Sequence, residues 1–369
     1  MSVVTFLGIY FVRVAGIDLA VVGAAFLVEN LLRGILAPVF GALSDRVGRR
    51  SMLIAAAAFT AAALPCFLLV SGPATLFAWS MAIGVAGAVN MPVASALLLD
   101  LAPVERRQAV LALNYTVMSV AYTLGVMPAG YVAERSYVVL AILGSIGFLL
   151  VAALYFLALR SPLPLEPTRG GVLRDTVSAF TDRSFLLFAA LALIFPLSMG
   201  LVVVVTPLFG AELGLGEGYI GLVLGGNSII VAALAVPVAT RIEPSGPFRL
   251  LGAASLLVGA AFACYALIPG PAAALLAGTI VFSFGELVFS SAVPAAVARL
   301  APPGRRGAYQ GGWALVGSIA MGSALVLSSA LREPLGWHGA WLLYAGLALA
   351  AGAALFALRE RLLRQAQKL

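Results

Sequence analysis

Long apolar stretches, separated by short polar turns, occupy almost all of this 369-residue chain. A helix needs about 20 mostly apolar residues to cross the hydrocarbon core of a bilayer, so each stretch predicts a membrane-spanning helix. There are twelve such stretches, at residues 1–14, 18–43, 51–70, 75–99, 109–133, 137–159, 184–210, 217–240, 247–268, 272–298, 307–331 and 337–358. The first is short for a full crossing, and it indicates a helix that lacks its beginning.

The composition supports a membrane protein and excludes a soluble enzyme. Only 10% of the residues are charged, compared with about 25% in typical soluble domains. The apolar stretches do not alternate with polar residues as the strands of a membrane β-barrel do, which favours an all-α membrane protein. Cys66, Cys264 and His338 are too scattered to suggest a metal site or a disulfide framework. We therefore expect no metal and no cofactor.

Positive charge is distributed unevenly between the turns. Of the 22 Lys and Arg residues, Arg135 and Arg332 lie on one predicted side of the membrane, and Arg13 and Arg33 lie within apolar stretches. All the others fall on the opposite side, which the positive-inside rule identifies as the cytoplasm. This distribution predicts a multi-pass protein of the cell membrane whose C-terminus lies in the cytoplasm. It also explains the net charge of +7 without a nucleic-acid partner.

The chain divides into two related halves. The polar stretch 160–183 separates six apolar stretches from six more, and short motifs recur 199 residues apart. Leu101-Ala102-Pro103 returns as Leu300-Ala301-Pro302, and Pro38-Val39 returns as Pro237-Val238. Duplicated bundles with a site between them are a transporter architecture. We expect an N-terminal bundle at 1–159, a cytoplasmic linker at 160–183, a C-terminal bundle at 184–358 and a cytoplasmic tail at 359–369.

The turn after the second stretch carries the most specific motif, G-A-L-S-D-R-V-G-R-R at residues 41–50. It resembles the signature loop of the major facilitator superfamily at every fixed position. The resemblance implies two pseudo-symmetric six-helix bundles and a loop that latches them in one state of the transport cycle. Its latch residues would be Gly41, Asp45, Arg46, Gly48, Arg49 and Arg50, with Asp100 as a partner for one arginine. Gly41 would allow close helix approach, and Gly48 would allow a tight turn.

Within that superfamily, the chain is most similar to bacterial proton-coupled multidrug antiporters. Phe284-Gly285-Glu286-Leu287-Val288-Phe289 in the tenth stretch resembles theirs. Their signature in the fifth stretch is only partly kept, as Gly125, Pro128 and Gly130 remain but Met127 precedes the proline. The resemblance implies proton-coupled drug efflux by alternating access. The alternatives are proton-coupled uptake of a small metabolite or peptide, or a transport-inactive membrane protein that is truncated or acts as a sensor.

Three ionisable residues lie deep within apolar stretches, where a charge costs about 2.5–3.5 kcal/mol on insertion scales. Glu29 and Arg33 are four residues apart on one helix face and can pair, and they are secondary candidates for the proton or substrate site. Glu286 has no charged neighbour on its own helix, which makes it the leading candidate for binding a proton or a cationic substrate. Weaker candidates for lining a cavity are Asn90, Asn114, Tyr115, Tyr122 and Asn227.

The residues 216–221 fit the G-x-G-x-x-G pattern, but they begin a predicted membrane helix without a βαβ unit. This context excludes a dinucleotide site. The expected partners are a small-molecule substrate, protons and the lipid bilayer, and we expect a monomer.

Overall fold

The computed structural model describes residues 4–103, 107–159, 179–242, 246–302 and 306–366. These residues form helices joined by short turns, and no strand occurs among them. In the first half the helices are α1 (Val4–Ile9, continued by a wide turn at Tyr10–Val14), α2 (Leu19–Val47), α3 (Arg49–Ala63, continued by a tighter turn at Leu64–Leu69), α4 (Pro73–Leu101), α5 (Arg107–Ala133) and α6 (Tyr137–Ala158).

The second half begins with a short turn at Ala179–Thr181 and continues with α7 (Arg183–Glu212), α8 (Glu217–Ile242), α9 (Pro247–Leu267) and α10 (Pro271–Leu300). The last helical stretch, Arg306–Ala366, breaks at Gly336, where φ is +63° and ψ is 177°. We call residues 306–335 α11 and residues 337–366 α12.

The helices occur at the twelve positions that the apolar stretches predict, so the expectation of an all-helical membrane fold is confirmed. In the described part of the chain, nine continuous helices are long and apolar enough to cross a membrane. One of them, Ala308–Leu358, has 51 residues and would be about 77 Å long if straight. That is enough for two crossings, and Gly336 provides the turn between them. The apolar parts of α1 and α5 are shorter, at Thr5–Val14 and Val120–Ala133.

Local sequence explains several helix ends. The Asp18 carboxylate accepts from the backbone N–H of Ala20 at 2.8 Å and caps α2, because the first N–H groups of a helix have no partner within it. Asp182 caps α7 in the same way, accepting from Ser184 at 2.7 Å. Ser136 caps α6. At the other end of α2, Gly48 has φ +98°, and its N–H donates to the Ser44 carbonyl at 2.9 Å.

Each half packs mainly within itself, and among the described residues three helix pairs form most of the interface between the halves. Within the first half α2 packs on α4, and within the second α9 packs on α10. Between the halves α1 contacts α7, α2 contacts α11 and α5 contacts α8. Glycines allow these helices to approach closely. A Cβ at Gly23 would lie 2.9 Å from the Val326 nitrogen, and one at Gly221 would lie 3.0 Å from the Val126 oxygen.

These close contacts lie towards the predicted external side of the membrane. At the other end of the same interface helices, Val39, Leu43 and Val47 of α2 are 43%, 40% and 56% exposed. Leu113 and Val117 of α5 are 63% and 56% exposed. We infer from the close contacts that the two halves are closed together on the predicted external side.

Candidate functional site

Glu286 lies on α10, where a neutral side chain donates a hydrogen bond to its carboxylate. The Asn227 amide of α8 donates to Glu286 Oε2 at 3.0 Å and to Ser283 Oγ at 2.9 Å. Ser283 is one turn before Glu286 and fully buried, and its hydroxyl donates to the Thr279 carbonyl at 2.8 Å. Within the described residues no Lys or Arg forms a salt bridge with Glu286. Its charge is therefore supported by dipoles and not by a counter-ion.

Two residues of the first half complete this group. Tyr122 of α5 shares a hydrogen bond of 3.2 Å with Thr5 of α1. Its hydroxyl also interacts electrostatically with the Glu286 carboxylate. We call Thr5, Tyr122, Asn227, Ser283 and Glu286 the central polar cluster. It brings together residues of both halves, as expected for a substrate site between two bundles.

Glu29 and Arg33 form an ion pair on α2, as their spacing predicts. Arg33 Nη2 lies 2.5 Å from Glu29 Oε1, and the Glu29 side chain is 2% exposed against 28% for Arg33. The second Glu29 oxygen and Arg33 Nε are buried without a hydrogen-bond partner among the described residues. Two glycines of α4 make room for the pair. A Cβ at Gly84 would lie 2.7 Å from the Glu29 carbonyl oxygen, and one at Gly87 would lie 2.6 Å from Arg33 Nε.

The loop at residues 41–50 is organised by contacts within the first half. Gly48 makes the predicted tight turn, and Arg50 donates to the Phe156 carbonyl while its guanidinium lies 5.0 Å from the centre of the Phe156 ring. A Cβ at Gly41 would meet no described atom within 4 Å, so the described residues show no close helix approach there. The side chains of Asp45 and Asp100 lie outside the described residues, and the latch stays a prediction.

A model of the Major Facilitator Superfamily matches residues 1–273 and 188–368 of the chain. The chain belongs to the Major Facilitator Superfamily. It is accordingly a multi-pass membrane transport protein, and the resemblance seen in its signature loop is confirmed.

Individual relatives of this superfamily member have several different substrates. A Na(+), Li(+), K(+)/H(+) antiporter of Planococcus maritimus is 28% identical over 343 residues, covering 82% of this chain and 79% of the relative. The solved nucleoside transporter NupG, in a mutant form, superposes with a TM-score of 0.83 at 14% identity, covering 97% of this chain and 95% of that one. A POT family transporter in complex with 5-aminolevulinic acid superposes with a TM-score of 0.80 at 16% identity, covering 98% of this chain and 93% of that one. At these identities the two structures show a shared fold and carry no argument about substrate.

The remaining polar candidates of this superfamily member are scattered. Asn114 donates within its own helix to Met118 Sδ at 3.7 Å, and Asn90 is half-buried on α4. The Tyr115 side chain lies outside the described residues. Sequence reasoning missed Thr5 and Ser283. Ser283 could have been found, because it lies three residues before Glu286 on the same helix face. Thr5 could not, because its contact with Tyr122 joins residues 117 positions apart.

Proposed function

We propose that this transporter exports a cationic, amphipathic compound of the drug type in exchange for protons, with Glu286 as the binding site that both share. The observation that carries the proposal is the position of this carboxylate among Asn227, Ser283 and Tyr122, at the place where α5, α8 and α10 meet. An ionisable residue within a membrane helix is a functional candidate by default. The neutral amide of Asn227 leaves the charge of Glu286 to be balanced by a proton or by a cation.

Sharing one carboxylate is sufficient to couple two flows. A proton on Glu286 removes the charge that attracts a cation, and a bound cation lowers the affinity of Glu286 for a proton. If the two halves can change state only when one of the two is bound, movement of protons inwards drives the cation outwards. Asn227 holds Glu286 Oε2 in place, so we assign it a positioning role. Thr5 and Tyr122 supply the opposing wall from the first half.

A second candidate substrate is a monovalent inorganic cation. The carboxylate of Glu286, the hydroxyl of Ser283 and the amide of Asn227 offer oxygen atoms within a few ångströms of one another, and oxygen ligands suit hard cations. The Planococcus maritimus relative, named for Na(+), Li(+) and K(+) exchange against protons, makes this candidate specific. Both candidates use the same carboxylate and the same exchange with protons.

The loop at residues 41–50 would serve the opposite state of the cycle. We propose that Asp45, Arg46 and Arg49 pair with the second half or with Asp100 when the predicted cytoplasmic side closes. We further propose that residues 160–183 link two bundles at the cytoplasmic face, that the C-terminus lies in the cytoplasm of the cell, and that the transporter works as a monomer in the cytoplasmic membrane.

The test is proton–cation exchange by the purified protein in liposomes with a trapped pH-sensitive dye. Vesicles with an acidic interior receive tetraphenylphosphonium, Na⁺, Li⁺ or K⁺ outside, and antiport predicts a rise of internal pH on addition of the true substrate. Glu286→Gln keeps the size and hydrogen bonding of the side chain but cannot release a proton, so it should reduce exchange to the level of empty vesicles. Glu333→Gln is the matched control, because Glu333 is exposed near the end of α11.

The outcomes separate the alternatives. A response to tetraphenylphosphonium supports the organic cation, and a response to the metal ions alone supports the inorganic one. Exchange by Glu286→Gln at the wild-type rate would show that Glu286 has only a structural role. A response of wild-type vesicles to uridine or dialanine, with none to any cation, would favour uptake of a metabolite or peptide.

A further inference from the structure

A group of contacts on the predicted external face joins the two halves around the start of α8. The Gly218 N–H donates to Glu134 Oε2 at 3.1 Å, across from the end of α5. The Tyr137 hydroxyl, at the start of α6, donates to Glu217 Oε1 at 2.8 Å. Both hydrogen bonds connect a residue of the first half with one of the second.

Glycines shape the site that receives the Glu134 carboxylate. A Cβ at Gly216 would lie 2.7 Å from Glu134 Oε1, and one at Gly218 would lie 2.8 Å from Glu134 Oε2. Any larger residue at these positions would displace the carboxylate. The carboxylate also lies at the first turn of α8, where unpaired N–H groups and the helix dipole favour negative charge. Two glycines of the pattern at residues 216–221, Gly216 and Gly218, therefore make room for a carboxylate and not for a nucleotide.

Arg13 adds a cation to the same face. Its guanidinium donates to the Ala211 carbonyl at the end of α7, and it interacts electrostatically with both Tyr137 and Glu217. Because Glu134 and Glu217 repel each other, the attraction of Arg13 helps the Glu217 carboxylate to remain in the closed interface. Arg13 belongs to the first half and Ala211 to the second, so this contact too crosses between the bundles.

We propose that these residues form an outer latch that holds the predicted external side of the transporter shut and that must come apart once in each cycle. The outer latch consists of Arg13, Glu134 and Tyr137 of the first half, and Ala211, Gly216, Glu217 and Gly218 of the second. Its counterpart is the loop at residues 41–50 on the other side of the membrane. The assignment rests on the proposed alternating access, and it is independent of which substrate is carried.

The opening of the external side can be measured as a distance between spin labels. Leu69 and Leu267 lie at the predicted external ends of the two halves and are 77% and 61% exposed, so both accept a label as cysteines in a Cys66→Ser, Cys264→Ser background. Glu134→Ala removes one hydrogen bond across the interface and should raise the open-to-closed ratio about fivefold. Gly216→Ala should have the same effect, because the three atoms nearest to its added methyl group all belong to the Glu134 side chain.

The double variant provides the decisive comparison. If both substitutions act by displacing one carboxylate, Glu134→Ala with Gly216→Ala should open the protein no more than Glu134→Ala alone. Glu212→Ala is the control, since Glu212 lies on the same face but pairs with Arg332 and Trp337 of its own half, both at 2.8 Å. Unchanged distances in Glu134→Ala, or an equal change in Glu212→Ala, would overturn the outer latch. Because the distances are measured without substrate, a failure of proton–cation exchange would leave this result standing.

Discussion

At the scale of single residues, the two glutamates within membrane helices differ in what balances their charge. Glu29 has Arg33 one turn away at 2.5 Å, so its charge is neutralised within its own helix. Glu286 accepts a hydrogen bond from the neutral amide of Asn227, which also donates to Ser283, and among the described residues it forms no salt bridge. A carboxylate that is already paired with an arginine gains less from binding a proton or a cation. We therefore propose that exchange occurs at Glu286 and that the Glu29 pair has a structural role.

Removing one member of the Glu29–Arg33 pair should destabilise the folded protein more than removing both. Glu29→Gln leaves the Arg33 charge without its partner, and an unpaired charge in a buried site is strongly destabilising. Because Arg33 is 28% exposed, we expect a loss of about 1–3 kcal/mol, less than for a fully buried pair. Thermal unfolding of the detergent-solubilised protein measures it.

The double variant Glu29→Gln, Arg33→Met serves as the comparison. It carries no unpaired charge, so it should unfold at a higher temperature than Glu29→Gln alone. Equal unfolding temperatures for the single and double variants would show that the pair contributes nothing by its charge.

At the scale of helices, the packing of α2 against α4 depends on two glycines. Gly84 allows α4 to contact the backbone of Glu29, and Gly87 lies against the Arg33 guanidinium. Small residues of this kind let membrane helices approach closely, since lipid provides no hydrophobic force between them. The position of the ion pair is therefore set by α4 as well as by α2.

Gly84→Ala should destabilise the protein although alanine is the better helix former. The new methyl group would lie 2.7 Å from the Glu29 carbonyl oxygen, and a backbone atom cannot move aside as a flexible side chain can. We expect a net loss of about 1–3 kcal/mol from overpacking, measured by thermal unfolding.

Gly346→Ala on α12 is the matched control. Its methyl group would meet no described atom within 4 Å, so only the gain in helix propensity, about 1 kcal/mol, should remain. If Gly84→Ala proved as stable as this control, the close contact of α2 with α4 would have no energetic importance.

At the scale of the whole molecule, the distribution of positive charge predicts the orientation of the chain in the membrane. The contacts between the two halves indicate which side of the transporter is closed. The positive-inside rule predicts that the loop at residues 41–50 lies in the cytoplasm. The contacts between α5 and α8, and between α2 and α11, then close the external side.

Cysteine labelling in intact cells tests this orientation. In a background without Cys66 and Cys264, Arg46→Cys should resist a membrane-impermeant maleimide and Ser71→Cys should react. Both positions are exposed, so a difference between them reports the side of the membrane and not burial. Rapid labelling of Arg46→Cys with protection of Ser71→Cys would reverse the proposed topology.

Much of the fold could be predicted from the sequence because a bilayer leaves few choices. Backbone groups in hydrocarbon must be paired internally, so apolar runs of sufficient length become helices wherever they occur. Twelve runs predicted the twelve helix positions, Gly48 predicted its turn, and the four-residue spacing of Glu29 and Arg33 predicted their pair. Each of these features depends on residues close together in the chain.

The tertiary structure alone decided which distant residues meet. Nothing in the sequence joins Glu286 to Asn227, 59 positions away, or Glu134 to Gly218, 84 positions away. Gly41 and Gly216 both belong to glycine-containing motifs. A Cβ at Gly41 would meet no described atom within 4 Å, whereas one at Gly216 would contact the Glu134 carboxylate. The physical reason is that hydropathy fixes where a helix lies along the chain and leaves its rotation and its neighbours undetermined. Those are set by side-chain packing between helices, which only the folded molecule contains.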